Sequence, residues 1–149
     1  MKSRLDYNKV APEALKGMIA LEKYLHNSSL DKITFELVKT RASQINACAY
    51  CLDMHTKDAR KAGETEQRLY ALSAWRETPF FTDKERAALE WTEEVTLIGQ
   101  HQISDELYAR MLQQFSEKEL VDLTMAIIAI NGWNRLAIPF RTEAGSYNP

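Results

Sequence analysis

Apolar residues recur every three or four positions along nearly the whole chain, and nowhere do they alternate in steps of two for long enough to make a strand. That spacing dictates helices with one buried stripe each. The expected fold is therefore all-α, a bundle of about seven helices joined by short loops. With 149 residues, one domain spanning residues 1–149 is expected.

Local signals mark the helix ends. Pro12 suits a first turn, and Leu15, Met18, Ile19 and Leu25 form a stripe over residues 12–26. Ser28 with Asp31 reads as the cap of a second helix, which carries Ile33, Leu37, Val38 and Ile45 and ends near Asn46. A third helix opens at Cys48 and is closed by Gly63, which tolerates left-handed backbone. Thr65 caps a fourth through Leu69, Leu72 and Trp75.

Thr82 with Glu85 is a capping box for a fifth helix, through Ala88, Leu89, Val95 and Ile98 to a stop at Gly99. Ser104 starts a sixth, with Leu107, Met111, Leu112 and Phe115. Ser116 with Glu119 begins a seventh that is apolar nearly all round and limited by Pro139, so it belongs in the core or at a subunit contact.

Nineteen basic residues against twenty-one acidic ones, a net charge of -2, give no support to nucleic-acid or anionic-membrane binding. No segment approaches the roughly 18 apolar residues needed to span a bilayer, and the first residues lack the apolar core of a signal peptide. The chain is thus expected to be cytoplasmic. In that reducing compartment two close cysteines point to metal or redox chemistry rather than to a structural staple.

Both cysteines and one of three histidines lie in "CAYCLDMH". On a helix, Cys48, Cys51 and His55 share one stripe, with Cβ atoms about 5 to 6 Å apart. A free thiol has a pKa of about 8.5, but a helix N-terminus or an adjacent proton acceptor lowers it, and the thiolate is the nucleophile. A hydroperoxide attacked at its terminal oxygen leaves a sulfenic acid on one cysteine. The second thiol condenses with that acid to a disulfide and prevents over-oxidation.

Other readings stand beside this one. Cys48, Cys51 and His55 are three zinc ligands, to which Glu36, His26 or His101 could add a fourth, although the usual second Cys or His pair is missing. A structural disulfide restrains so short a loop little. A c-type haem site needs histidine directly after the second cysteine, where Leu52 stands. A thioredoxin fold needs strands. Glu36 lies on an otherwise inward-facing helix and reads either as a surface carboxylate or as a base acting with His55.

Glu36, Cys48, Cys51 and His55, spaced as E-x11-C-x2-C-x3-H, resemble the alkyl hydroperoxidase D-like (AhpD-like) group of the carboxymuconolactone decarboxylase family. The segments "ELVKTRASQINACAYCLDMHTKDARKAGET", "LYALSAWRETPFFTDKERAALEWTEEVT" and "FSEKELVDLTMAIIAINGWNRLAIPFR" extend the likeness over residues 30–141.

The resemblance implies an all-helical fold with the cysteine pair at a helix start and a thiol-dependent hydroperoxidase of peroxiredoxin type. Cys51 would be the attacking thiol, Cys48 the resolving thiol, and Glu36 with His55 the proton relay. No cofactor is implied. A dithiol reductant, lipoyl-type or thioredoxin-like, would restore the thiols, and the assembly would be a homo-oligomer, a trimer or hexamer.

Tyr50 stands between the cysteines, where the family's hydroperoxidase members tend to carry histidine, and a phenol with a pKa near 10 is a poor proton shuttle at neutral pH. The decarboxylase members lack the paired cysteines, so their lactone substrate is not carried over. Trp133, Asn134 and Arg135 resemble a recurrent family segment but read more simply as packing beside a helix end. His26 and His101 fall near helix ends, and the scattered Met residues suggest no copper site.

Overall fold

The computed structural model describes residues 2–100 and 102–149 and contains helices but no strand among them. The α-helices are α1 (Tyr7–Val10), α2 (Lys16–His26), α3 (Lys32–Ile45), α4 (Ala49–Lys61), α5 (Glu66–Ala71), α6 (Asp83–Thr96), α7 (Asp105–Gln114) and α8 (Glu117–Phe140). Pro12–Leu15 and Leu72–Glu77 are 3-10 turns. His101, one of the candidate fourth zinc ligands, lies outside the described residues.

α3 is the central helix, packed against α4, α6 and α8. Every residue from 34 to 40 is buried, including Thr34, Glu36, Lys39 and Thr40. The apolar last helix, expected in the core or at a subunit contact, is buried along only part of its surface. α8 buries Leu123, Ala126, Ile127 and Ile130 on one side and leaves Val121, Ile128 and Ile138 exposed. One apolar cluster joins Val38, Trp91, Met111, Leu123 and Ile127. Another joins Leu37, Leu72, Trp75, Phe81 and Leu89 beneath α5 and α6. Burial of this kind supplies about 1.5 to 3 kcal/mol for each large side chain taken from water.

The helix starts follow the local signals closely. Both capping boxes form: Thr82 with Glu85 at α6, and Ser116 with Glu119 at α8. Thr65 and Ser104 cap α5 and α7. α3 differs, because Asp31 accepts from the Thr34 amide as its cap, while Ser28 donates its hydroxyl to the Leu25 carbonyl and finishes α2. Asp31 is the better acceptor in the extended conformation that precedes a helix, so the serine serves the preceding element.

Several ends differ from expectation. α6 stops at Thr96 rather than Gly99, which leaves Ile98 61% exposed. Ile19 and Leu112, expected on buried stripes, also face outward. The first helix begins as a 3-10 turn at Pro12, and a short α1 precedes it, capped by Asp6. Pro139 sits inside α8, whose end is set by Arg141 in the left-handed region. The last carbonyls there accept from the N-terminal segment: Arg4 bonds Pro139 O through its guanidinium and Phe140 O through its amide.

Three helices end in the same paired hydrogen-bond pattern, in which a left-handed residue follows the helix and the next amide reaches back. After α4, Gly63 (φ 105°) turns the chain, with Glu64 N bonded to Ala59 O and Gly63 N to Arg60 O. After α8, Arg141 does the same. After α3 the left-handed residue is Ala47 (φ 56°), with Cys48 N bonded to Ser43 O at 3.0 Å and Ala47 N to Gln44 O at 3.2 Å. This turn delivers the chain to α4.

An alanine in left-handed backbone costs about 1 to 2 kcal/mol, against about 0.5 to 1 kcal/mol of extra chain entropy lost by glycine. Ala47→Gly is therefore expected to raise stability by up to about 1 kcal/mol and Ala47→Val to lower it, both measured by chemical denaturation. A glycine variant less stable than wild type would contradict this account of the turn.

Glu119 accepts from the Ser116 amide and hydroxyl and from Lys84 Nζ at 2.9 Å, and these bonds, led by the one from Lys84, hold its carboxyl down at about 2. Because the folded value lies below the unfolded one of 4.5, its stabilisation is complete above that value and fades as pH falls towards 2. Glu119→Gln should cost about 1 kcal/mol at pH 7. Its deficit against wild type should shrink between about pH 5 and pH 2 in denaturation curves. A deficit that does not change with pH would assign the loss to something other than the carboxylate.

Candidate active site

The cysteine helix is anchored through the residue that ends α3. Asn46 ends α3 and donates from Nδ2 to Asn131 Oδ1 at 3.0 Å and Asn134 Oδ1 at 2.8 Å on α8. Asn134 is fully buried and returns a bond to Ser43 Oγ, while Asn131 donates to Thr96 Oγ1 on α6. Asn134 is thus a polar tie under the cysteine turn rather than part of a charged helix end.

Cys48 is the N-cap residue of α4 in extended backbone, and its carbonyl accepts from Leu52 N. The first-turn amides of Ala49, Tyr50 and Cys51 have no carbonyl partner within the helix, so their partial positive charge favours a thiolate at this end. Cys48 and Cys51 are joined in a disulfide with Cα atoms 5.4 Å apart, within the ordinary range. Both are only 1% exposed and pack against Ala42, Ile130 and Ala137.

His55 follows one turn after Cys51 and is 4% exposed. Its Nδ1 lies 2.8 Å from Glu36 Oε2, which projects from α3 and is itself buried. A carboxylate only accepts, so Nδ1 carries the hydrogen and the neutral ring keeps its lone pair on Nε2. Nε2 is buried without a hydrogen-bond partner. An imidazole held in one tautomer, with its basic nitrogen free, is equipped to take a proton.

Cys51, His55 and Glu36 line one cavity of about 360 Å³, together with Tyr50, Trp133 and Tyr147. Cys48 lies on a separate groove beside Ala137, Arg141 and Glu143. The two cysteines thus border different hollows, Cys51 the cavity and Cys48 the groove. The cavity also takes in Lys39, which is 3% exposed, pairs with Glu22 Oε2 at 2.7 Å and lies over the Phe35 ring. Glu22 Oε1 accepts from the Trp133 indole at 2.9 Å.

The C-terminal segment closes part of the cavity. Gly145 N bonds Asp53 Oδ2, Lys57 Nζ bonds Tyr147 O, and the Tyr147 hydroxyl donates to Asp58 Oδ1 at 2.8 Å. Burial, reinforced by the bond to Asp58, pushes the Tyr147 phenol up to about 12. Burial, with smaller contributions from Tyr7 and Asp53, likewise raises Tyr50 above its ordinary value. Both phenols stay neutral and weakly acidic near pH 7.

The structure thus brings together the four residues singled out from the sequence. Among the described residues, the group with mutually close metal-ligating atoms is Glu36, His55 and Asp58, all within 4.8 Å of one another. His26 ends α2, is exposed, and packs with its ring tilted against Phe35, centroids 5.7 Å apart, in the cavity lining. Asp58, Lys39, Glu22 and Tyr147 were not anticipated. Asp58 could have been, since it follows His55 by three and so shares its helical face. Lys39 likewise follows Glu36 by three on α3, whereas Glu22 and Tyr147 reach the cavity from other parts of the chain.

Comparisons with known proteins identify the family. The family model described as the carboxymuconolactone decarboxylase family matches residues 12–94. The uncharacterized protein YdfG of Bacillus subtilis is 49% identical over 146 residues, covering 98% of this chain and 99% of that protein. A crystal structure of a protein of unknown function from Agrobacterium tumefaciens, offered as a candidate AhpD antioxidant defence protein, has a TM-score of 0.93. It is 43% identical, with 98% of this chain and 100% of that one covered. The alkyl hydroperoxide reductase AhpD of Streptomyces coelicolor is 43% identical over 51 residues, 32% of this chain and 29% of its own. With a matching family model over more than half its length and a relative aligned nearly end to end, this chain belongs to the carboxymuconolactone decarboxylase family.

Proposed function

We propose that the protein is a thiol-dependent hydroperoxidase of AhpD type that cycles through Cys51 and Cys48. The observation that carries this reading is a redox-capable cysteine pair at a helix start whose inner member shares a cavity with a buried His55–Glu36 pair. The short similarity to proteins named AhpD supports it.

In the reduced state, His55 Nε2 accepts the proton of Cys51, while Glu36 holds the ring and stabilises the imidazolium. The Cys51 thiolate attacks the terminal oxygen of the hydroperoxide. An S–O bond forms, the O–O bond breaks, and the leaving alkoxide takes a proton to depart as the alcohol. The Cys48 thiolate then attacks Cys51 Sγ, closing the disulfide and releasing the sulfenic oxygen as water. Two electrons have passed from the thiols to the peroxide.

A dithiol donor, of lipoyl type or thioredoxin-like, returns those electrons by disulfide exchange. Tyr50 and Tyr147 line the cavity but do not relay protons at neutral pH, which leaves the transfer to His55. Among the described residues no helix is long and apolar enough to cross a membrane. The exposed Val121, Ile128 and Ile138 of α8 are available for assembly into a trimer or hexamer, which sedimentation would measure.

Consumption of an organic hydroperoxide with a dithiol regenerant should vanish in Cys51→Ser and stall after one cycle in Cys48→Ser. Replacing His55 or Glu36 by Gln should lower kcat/KM by about a hundredfold or more, the range expected for loss of a general base. Metal content is measured on the same preparations. No turnover in the wild type, with one zinc per chain lost on mutating Cys48, would replace the enzyme by a metal-binding or redox-sensing module built on Cys48, Cys51 and His55.

A further inference from the structure

The charges around the Cys51 cavity restrict what can enter it. Three carboxylates face it, Glu22, Glu36 and Asp58, against a single permanent cation, Lys39. The remaining titratable bases are His55 and His26, so even with both imidazoles protonated the lining carries no net positive charge.

Lys39 is not free to receive an anion. Its ammonium is already 2.7 Å from Glu22 Oε2 and seated over the Phe35 ring. Two further donors are committed to carboxylates as well: the Trp133 indole to Glu22 and the Tyr147 hydroxyl to Asp58. A ligand carboxylate would be desolvated in this cavity beside three like charges, with the one permanent cation already paired.

What the lining does offer is ring surface. Tyr7, Phe35, Tyr50, Trp133 and Tyr147 come from five separate parts of the chain and converge on a space of about 360 Å³ beside Cys51. Flat apolar bodies gain both area burial and ring contacts in such surroundings.

The geometry points to selection by charge: the substrates are uncharged organic hydroperoxides with a compact aromatic or apolar body, and carboxylate-bearing hydroperoxides such as those of free fatty acids are excluded. This rests on the reading of the cavity as the place where the peroxide meets Cys51. Glu22 is the positioning residue for that selectivity, because it is what cancels Lys39.

The test uses unreactive product alcohols, so that it does not depend on turnover. Binding of 2-phenyl-2-propanol and of its para-carboxylate to the full-length protein is followed through tryptophan fluorescence and calorimetry. The neutral alcohol should bind at least tenfold more tightly than the carboxylate at neutral pH. Glu22→Gln, which leaves the Lys39 ammonium uncancelled, should strengthen carboxylate binding by tenfold or more while changing the neutral alcohol little.

Asp58→Asn, a milder change at the cavity margin, should narrow the gap about threefold and serves if Glu22→Gln fails to fold. Equal binding of the two alcohols, tighter binding of the carboxylate by wild type, or no binding of either overturns the inference. So does an unchanged ratio in both variants. Charge selectivity in a protein that consumes no hydroperoxide would instead leave the inference standing and remove the peroxidase reading.

Discussion

Two charged side chains on the most enclosed helix organise the molecule. Glu36 and Lys39 are taken out of water in the middle of α3, where an unpaired charge would cost several kcal/mol, so each must find a counterpart on a neighbouring helix. Lys39 takes Glu22 from α2, and Glu36 takes His55 from α4. These pairs fix the rotation of α2 and α4 about the central helix. The second also aligns the imidazole beside Cys51. The contact that satisfies a buried carboxylate is the contact on which the proposed proton transfer depends.

The approach to the cysteines is equally constrained. The turn from α3 into α4 uses Ala47 in left-handed backbone, and Asn46 is tied to Asn131 and Asn134 on α8. These bonds place Cys48 at the cap and Cys51 one turn inside, the first bordering the groove and the second the cavity. On the proposed reading, peroxide chemistry at Cys51 takes place in an aromatic-lined cavity. Exchange with a reductant can be reached from the groove at Cys48.

Features legible in the sequence were those governed by neighbours in the chain. The boxes at Thr82 and Ser116, the caps at Thr65 and Ser104 and the closing Gly63 depend on bonds within a few residues, so a short window contains them whole. Ser28 and Asp31 were harder, because both are cap formers and the choice between them rests on where α2 ends. Ile19, Ile98 and Leu112 fit the helical period and yet face outward. Periodicity says that a stripe exists but not how wide a face the neighbours cover.

The sequence by itself determined the helical class, most of the helix starts, and the alignment of Cys48, Cys51 and His55 along one helix, because hydrogen bonds and side-chain spacing within a helix are local. Only the tertiary structure decided that Glu36 is buried against His55, that Lys39 is cancelled by Glu22, and that Asp58 and Tyr147 help enclose the cavity. Glu36 and His55 are 19 positions apart, Glu22 and Lys39 17, and Asp58 and Tyr147 89. No pattern within a single helix encodes a partner on another, and for buried charges the partner determines whether the residue can be there at all.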